Sequence, residues 1–270
     1  MGYKPAGITS QSFANRLKYK YNVKKAGFSG TLDPFAKGVM VIGFGQYPKL
    51  FQYLKKTPKS YRAVLWLGAF SEGLDTENIE EVHHLDKYDE LEVKKAVEGL
   101  SEITSQVPPK FCAKRVNGVR AYHLARSGEE VNLAARDVVI SKSTFIHYHH
   151  PYVTFEVSVS EGTYVRTLGA SVAASLDTFG SLCSLERLCE GEFTYEDELE
   201  LNPLPYLDMP QNELMVEDWY IEKGIKIRAE FFKNHEDGFS YIEMKDTFSI
   251  IEFKEGAPKY KINMLPKGKR

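Results

Sequence analysis

The sequence predicts a protein in which helices and β-strands are interspersed along the chain, and three observations lead to this prediction. Residues 152–160 alternate apolar and polar side chains, as a half-buried strand does. Residues 61–68 form a second strand-like run that is rich in apolar and aromatic side chains. Beyond these two runs, Val165, Leu168 and Val172 recur at helical spacing.

Four further elements are predicted before residue 61. They are a helix beginning at Ser10, an ordered loop over residues 24–38, a buried strand over residues 39–44 and a short helix over residues 50–54. The helix is predicted because Phe13 and Leu17 fall on one helical face. The loop is predicted because its Gly and Pro residues do not fit regular structure throughout.

The later segments differ in charge and regularity. Residues 71–102 hold eleven acids against three lysines and include an amphipathic helix around 91–100. Residues 190–220 are acidic and rich in loops, and strand-like runs between 221 and 265 predict a small β appendage. We therefore predict one main domain over residues 1–221 and an appendage over residues 222–270.

Positive charge is concentrated in the first quarter of the chain. Residues 1–70 carry a net charge of +11, whereas the other 200 residues carry −13. Such asymmetry is typical of a face that binds a polyanion, although a lysine-rich solvated surface fits the count equally well. Residues 108–136 are also basic, with aromatic side chains interleaved. They fit either a nucleic-acid clamp or an ordinary hairpin and helix with surface charge.

Two charged residues are unusual for their surroundings. Asp33 is the one acid among the first 70 residues, and the many nearby cations favour its ionised, nucleophilic form. An Asp before Pro is equally familiar in turns and helix caps. Arg166 lies in the first turn of a predicted helix, where it opposes the helix dipole and therefore calls for a carboxylate partner. A surface arginine without a special role also fits.

Composition and spacing exclude several classes of protein. No apolar run approaches the ~20 residues that cross a bilayer, and the N-terminus lacks the features of a secretory signal. Three cysteines without a paired spacing provide no disulfide frame or zinc site. His147, His149 and His150 lack further ligands at a suitable spacing. We expect a cytoplasmic protein that binds no metal and no membrane.

Six segments stand in order along residues 1–195: KPAGITS (4–10), KKAGFSGTLDPFAKGVM (24–40), YRAVLWLG (61–68), VNGVRAYHLARSGEEV (116–131), EGTYVRTL (161–168) and LERLCEGEF (185–193). Together they resemble the TruB family, the pseudouridine synthases that modify uridine 55 in the T loop of tRNA. Any one of them alone is a weak signal, whereas the ordered set is highly specific.

The resemblance implies an α+β pseudouridine synthase fold. In this fold a long mixed, mostly antiparallel sheet is flanked by helices and loops, and a thumb-like RNA-binding insertion falls here at about residues 108–136. The appendage over 222–270 is shorter than the PUA-type RNA-binding domain. The implied reaction needs no cofactor: a flipped uracil loses its N1–C1′ bond, rotates, and rejoins the sugar through C5.

The resemblance also implies roles for particular residues. Asp33 is the expected nucleophile, attacking either the sugar C1′ or the uracil C6, with Arg166 as its partner and Tyr61 stacking on the base and assisting proton removal. The expected substrate contacts are Tyr164, Leu185, Phe28 and Asp75. The expected RNA contacts are Lys24, Lys25, Lys59, Arg62, Lys114, Arg115, Arg120 and Arg126. The expected partner is the T arm of tRNA, bound by a monomer without an obligate protein partner.

Two positions depart from the family pattern. Phe28 stands where the family usually has His; its ring can still stack on a base, but the hydrogen bonding of an imidazole is lost. Phe111 stands where Tyr is more common, which removes a hydroxyl group and keeps the ring. Neither position carries the implied chemistry.

Two other functions fit parts of the sequence. A non-catalytic RNA-binding or RNA-folding protein could use the same basic surface, but it would not need Asp33, Tyr61 and Arg166 together. A phosphotransferase with an aspartate nucleophile usually has a second acid two residues later to hold magnesium, and here that position is Phe35.

Overall fold

The computed structural model describes residues 1–116, 118–129 and 131–268. Its strands are β1 (Gly2–Lys4), β2 (Ala26–Phe28), β3 (Lys37–Met40), β4 (Ile42–Phe44), β5 (Lys59–Leu67), β6 (Ala69–Phe70), β7 (Glu81–Val82), β8 (Ser105–Gln106), β9 (Arg115–Val116), β10 (Val119–Arg120), β11 (Arg136–Asp137), β12 (Ile140–His149), β13 (Tyr152–Val159), β14 (Gly180–Glu190), β15 (Phe193–Thr194), β16 (Gly238–Glu243), β17 (Thr247–Lys254) and β18 (Ala257–Pro266). Its α-helices are α1 (Ser10–Lys20), α2 (Glu90–Glu98), α3 (Ala121–Arg126), α4 (Val165–Ala174) and α5 (Trp219–Glu222). Single 3-10 turns and short 3-10 helices cover Tyr47–Tyr53, Thr76–Asn78, Gly99–Glu102, Leu204–Tyr206 and Ala229–Phe231.

The principal sheet of the described residues has seven strands. Six follow the order β1-β3-β14-β5-β13-β12, and β15 pairs with the end of β14. Strand β14 is parallel to β3, whereas the other pairs along this order are antiparallel. The α+β class and the mixed, mostly antiparallel sheet expected from the sequence are therefore confirmed.

Strand β5 lies at the centre of this sheet, and its alternate residues from Tyr61 to Leu67 are buried and mostly apolar. Tyr61, Ala63 and Leu65 are buried on one face, as the period of two along a strand requires. Helix α4 packs on the same face through Leu168 and Val172, which the helical spacing had placed together. The sheet and the helix therefore form one continuous core, and the strands and helix that carry the predicted site residues are fixed to it.

Helix α1 begins where the sequence predicted. The hydroxyl of Thr9 accepts the backbone N–H of Ser12, which caps the helix at its N-terminus. Phe13 and Leu17 are buried against the core, so the exposed face holds the basic side chains. The helix ends at Lys20, with two lysines in its last turn, where cations favour the helix dipole.

The sequence prediction was incomplete in the region of the GTLDP segment. The predicted loop over 24–38 contains a short strand, β2, which pairs with β4. The single strand predicted over 39–44 is two strands, because β3 pairs with β1 and β14 while β4 turns to β2. The irregular stretch that remains, between β2 and β3, is the loop that carries Asp33.

Two of the longest strands were not predicted. Strand β12 is an edge strand whose exposed face is polar, so it lacks a clean apolar alternation. Strand β14 carries charged residues inside the sheet, and two of them, Arg187 and Glu190, are buried. Buried charge breaks the hydrophobic period on which strand prediction depends.

The C-terminal residues form a three-stranded sheet of β16, β17 and β18, as the strand-like runs predicted. Its residues Ile251 and Phe253 pack with Ile221 and other neighbours in one cluster. Phe248 packs in a second cluster that also contains Val41 of the main region. The division of the chain at residue 221 stays a prediction.

None of the helices in the described ranges combines the length and the apolar character that a membrane-crossing helix needs.

Replacement of Leu65 tests the central role of β5. Leu65 has no exposed surface, so Leu65→Ala leaves a cavity, and we expect it to lower the free energy of unfolding by about 2–5 kcal/mol. The matched control is Leu91→Ala on α2, where the side chain is 57% exposed and the expected change is within about 0.5 kcal/mol. Urea denaturation measures both. Equal effects of the two substitutions would contradict the central position of β5.

Candidate active site

Asp33 lies in a loop that is attached to helix α1 and to the first residues of the chain. Immediately before it, Leu32 is bracketed by Ser10, whose hydroxyl donates to the Leu32 carbonyl and accepts the Leu32 N–H, each at 2.9 Å. Immediately after it, the Pro34 carbonyl accepts the N–H of Gly7 at 2.8 Å. The backbone is therefore fixed on both sides of Asp33, and the carboxylate itself is one-third exposed.

Arg166 meets Asp33 from the first turn of α4. Its Nε lies 2.9 Å from Oδ2 of Asp33, and the arginine side chain is only 3% exposed. This ion pair joins two residues that are far apart in sequence, as the dipole argument for a carboxylate partner predicted.

The guanidinium of Arg166 is held on its other edge by two backbone carbonyls. Nη1 donates to the carbonyl of Gly73 at 2.5 Å, and Nη2 donates to the carbonyl of Phe111 at 2.7 Å. These carbonyls come from different segments. Gly73 lies just before the 3-10 turn Thr76–Asn78, and Phe111 lies at the root of the basic insertion. The planar fork is therefore fixed at several points, and its Nε lies on the side of Asp33.

Asp75 is a second carboxylate beside Arg166. It is buried, its Oδ2 lies 3.4 Å from Nη1 of Arg166, and its Oδ1 accepts the N–H of Glu77. Burial raises the pKa of Asp75, although the Glu77 N–H and the Arg166 charge both oppose the rise. Asp75 therefore contributes to holding the arginine, and its contact with a substrate stays a prediction.

Tyr61 and Leu185 are side chains of the main hydrophobic core. Both are buried and belong to the cluster that includes Leu32, the residue before Asp33. Tyr61 lies on β5 opposite Arg187 of β14 and Val157 of β13. Stacking on a base remains a prediction for Tyr61, whose ring is 8% exposed in this structure.

Tyr164 and Phe28 lie at the edges of this region. Tyr164 precedes α4 as its N-cap residue, and its ring packs in a small cluster with Cys112 and Ala121 of the basic insertion. Burial raises the pKa of Tyr164, and the neighbouring Cys112 adds to the rise. Phe28 is half-buried at the end of β2 and packs against the main core. A contact of either residue with substrate stays a prediction.

The basic insertion projects from the sheet as a hairpin and a short helix. Strands β8 and β11 pair at its root, β9 and β10 form the hairpin, and α3 follows. Arg115, Arg120 and Arg126 are exposed and Lys114 is half-buried. Asn117 and Glu130 of the predicted thumb lie outside the described residues. Lys24 and Lys25, before β2, are also exposed, so these six predicted RNA contacts remain open predictions.

Two other predicted RNA contacts take part in ion pairs within the protein. Lys59 is 5% exposed and its Nζ lies 3.3 Å from Oε1 of Glu190, so its side chain is enclosed in this structure. Arg62 is exposed but follows Tyr61 on β5, so it points to the opposite face of the sheet. It is paired with Glu156 at 2.7 Å. Contact of either residue with RNA stays a prediction.

Several residues that build the site were missed by sequence reasoning. Lys4 is fully buried and its Nζ donates to the carbonyls of Pro5, Ile8 and Pro34. Gln106 pairs with both backbone groups of Tyr164, donating to its carbonyl at 3.0 Å and accepting its N–H at 2.8 Å. The carbonyls that hold Arg166 left no side-chain signal at all, since any residue can supply a carbonyl.

The fold and this site were compared with known proteins. A crystal structure of a Cbf5–Nop10–Gar1 complex contains a chain that superimposes with a TM-score of 0.64, at 17% identity, covering 98% of this chain and 84% of that one. A structure of an H/ACA RNP bound to a substrate RNA containing 2′-deoxyuridine gives 0.63 at 16% identity, with the same coverage. At these identities the likeness establishes the fold.

Sequence comparison gives the finer assignment. Residues 18–165 match the TruB family pseudouridylate synthase (N terminal domain). The tRNA pseudouridine synthase B of Sulfurovum sp. (strain NBC37-1) is 45% identical over 98% of this chain and 95% of its own length. That of Campylobacter jejuni subsp. jejuni serotype O:23/36 (strain 81-176) is 44% identical over 98% and 97%. This chain belongs to the TruB family of pseudouridylate synthases.

The buried Lys4 gives a prediction for the pH dependence of stability. Burial lowers the pKa of Lys4 from 10.5 to about 8, although the charge of Asp33 opposes the change. The unfolded chain therefore binds more protons than the folded one between pH 8 and 10.5, and the contribution of Lys4 to stability increases with pH through this window. We expect the free energy of unfolding of the parent, relative to Lys4→Met, to rise by about 3 kcal/mol across it. Urea denaturation at several pH values measures the difference, and parallel curves would contradict the shift.

Proposed function

We propose that this protein converts uridine 55 in the T loop of tRNA to pseudouridine, with Asp33 as the nucleophile. The observation that carries the proposal is the ion pair between Asp33 and Arg166, in a chain that belongs to the TruB family. The two relatives named above are called tRNA pseudouridine synthase B, and their alignments cover 98% of this chain. Their names support tRNA as the substrate, and the position within the T arm is our extension.

The reaction needs an ionised carboxylate that points into open space. Arg166 pairs with Asp33 and sets the direction of the carboxylate by contact. Because Asp33 is one-third exposed while Arg166 is buried, the carboxylate can meet a base that arrives from solvent. Attack of Asp33 at C1′ or C6 forms a bond to the carboxylate and lets the N1–C1′ bond break. The uracil then turns, C5 bonds to C1′, the bond to Asp33 breaks, and C5 loses its proton while N1 takes one up.

The apolar side chains that share a core with the Asp33 loop suit a flipped base. Tyr61 and Leu185 line the core next to Leu32, where a uracil ring would be withdrawn from water. Partial movement of the Tyr61 ring would allow it to stack on the base, and its hydroxyl would then be the nearest candidate to assist loss of the C5 proton.

RNA binding is assigned to the thumb and to the segment before β2. Arg126 lies over the ring of Tyr122, with its Cζ 5.8 Å from the ring centroid, and such pairs of cation and ring suit a phosphate beside a base. We assign residues 1–221 to catalysis and residues 222–270 to a β-rich appendage. We further propose that the enzyme acts as a monomer without an obligate protein partner.

Asp33→Asn tests the assignment of the nucleophile. The amide is nearly the same size as the carboxylate but is not a nucleophile, so we expect no pseudouridine in a tRNA transcript after incubation with this variant, whereas its Kd for tRNA changes little. Asp86→Asn, at an exposed site on the acidic segment, is the matched control and should retain full activity. Mass spectrometry of nuclease-digested tRNA locates the product. Full activity of Asp33→Asn, or tRNA binding by the parent without any modification, would favour a non-catalytic RNA-binding protein.

Removal of thumb cations tests the RNA surface. Each phosphate contact contributes roughly 0.9 to the slope of log K against log salt concentration on a duplex and roughly 0.7 on a single strand. We therefore expect Lys114→Ala with Arg126→Ala to reduce the slope for tRNA by about 1.5, while the rate at saturating enzyme is unchanged. Lys94→Ala with Lys95→Ala on α2 removes the same charge from the acidic segment and should leave the slope as it was. An identical slope in both double variants would exclude the thumb as the phosphate-binding surface.

A further inference from the structure

Behind the Asp33 loop lies a buried cluster of charged side chains that the proposed chemistry does not use. Arg187 is 1% exposed, Glu190 has no exposed surface and Lys59 is 5% exposed. The register of the sheet brings them together, because Lys59 of β5 is directly opposite Glu190 of β14. We call Arg187, Glu190 and Lys59 the charged cluster.

Arg187 bonds to the loop backbone on both sides of Asp33. Its Nε donates to the carbonyl of Val39 at 2.7 Å, and its Nη2 donates to the carbonyl of Gly30 at 3.2 Å. Gly30 precedes Asp33 by three residues, and Val39 follows it by six. One rigid guanidinium therefore sets the separation of the backbone before and after the carboxylate.

Glu190 holds the loop directly and holds Arg187 in place. Its Oε1 accepts the hydroxyl of Ser29 at 2.7 Å and lies 3.3 Å from Nζ of Lys59. Its Oε2 lies 3.5 Å from Nη2 of Arg187. The carboxylate thus connects the loop to both cations of the charged cluster.

The loop backbone fits against this cluster without spare room. Gly30 has φ +63°, and a Cβ at this position would lie 2.9 Å from Nζ of Lys59 and 3.0 Å from Nη1 of Arg187. Glycine alone allows the backbone to come this close to the charged groups. A shift of the charged cluster would therefore move the loop.

Stability alone does not explain why these charged side chains are buried. Burying charges is costly, and apolar side chains of similar volume often stabilise a core equally well or better. What Arg187 and Glu190 provide in addition is a fixed set of directional contacts to Ser29, Gly30 and Val39.

We propose that Arg187 and Glu190 are positioning residues that aim Asp33 through the backbone of its loop. The inference rests on the proposed function, since it concerns the same carboxylate. Neither residue meets the substrate; each acts through the loop. A misplacement of about 1 Å at a reacting group can lower the rate about 100-fold, so small movements of the loop matter.

Three substitutions separate geometry from charge. Glu190→Gln keeps the shape but weakens both ion pairs. Arg187→Lys keeps the charge, but one ammonium on a flexible stem cannot bridge the Val39 and Gly30 carbonyls in the way a guanidinium does. Ser29→Ala removes the loop's own hydroxyl and leaves the charged cluster intact. The control is Glu186→Gln, on the same strand as Arg187 and Glu190. It weakens a partly exposed ion pair with Lys37 of β3.

The experiment measures three quantities on each folded, full-length variant: the single-turnover rate of pseudouridine formation with enzyme in excess, the Kd for the tRNA transcript, and hydrogen exchange of the amides in residues 29–41. For Glu190→Gln and Arg187→Lys we expect a rate loss of about 10- to 100-fold with a Kd within about twofold of the parent. Ser29→Ala should lose about threefold to tenfold. Amide exchange in the loop should accelerate in all three, and Glu186→Gln should match the parent.

Other outcomes would overturn the proposal. Parental rates in Glu190→Gln and Arg187→Lys, with unchanged loop exchange, would show that the cluster does not position Asp33. A rate loss that follows only a loss of thermal stability, with Ser29→Ala fully active, would show a merely structural role. If the parent forms no pseudouridine, the proposed function fails, and loop exchange still decides whether the cluster fixes the loop.

Discussion

The contact between Asp33 and Arg166 is the interaction on which the rest of the site depends. It connects a loop near the N-terminus with helix α4, which follows strand β13 in the chain, so the two charges meet only in the folded sheet. An arginine that is almost fully buried needs polar partners. The fold supplies two carbonyls and two carboxylates from three separate segments.

The protein uses buried charge twice on neighbouring parts of one loop. Arg166 faces the carboxylate, and Arg187 faces the backbone that carries it. In each case an acidic side chain, Asp75 or Glu190, balances the arginine away from solvent. Breaking one partner of such a buried pair leaves an uncompensated charge, which typically costs several kcal/mol. Loop geometry and stability are therefore coupled at the site, while surface pairs such as Arg62 with Glu156 contribute little to either.

The site was easier to predict from the sequence than the sheet was. Asp33 was conspicuous by charge and Arg166 by its unfavourable place at a helix N-terminus, but only the family resemblance paired the two residues. Strand β5 and helix α4 followed from periodicity. Strand β14 did not, because its buried Arg187 and Glu190 interrupt the apolar period and find their partners only in three dimensions. A count of lysines in the sequence likewise contains no information on which of them, such as Lys59, are enclosed.

The carbonyl of Phe111 has a consequence for how this scaffold can vary. The root of the insertion is bonded to Arg166, whereas Arg115, Val119 and Arg120 of the β9–β10 hairpin are exposed. Under the proposed function, changes of length or composition in this hairpin alter which RNA shapes bind and leave Arg166 in place. Insertions at the root would displace the arginine. Substrate range in such an enzyme is therefore free to evolve at one end of the insertion and constrained at the other.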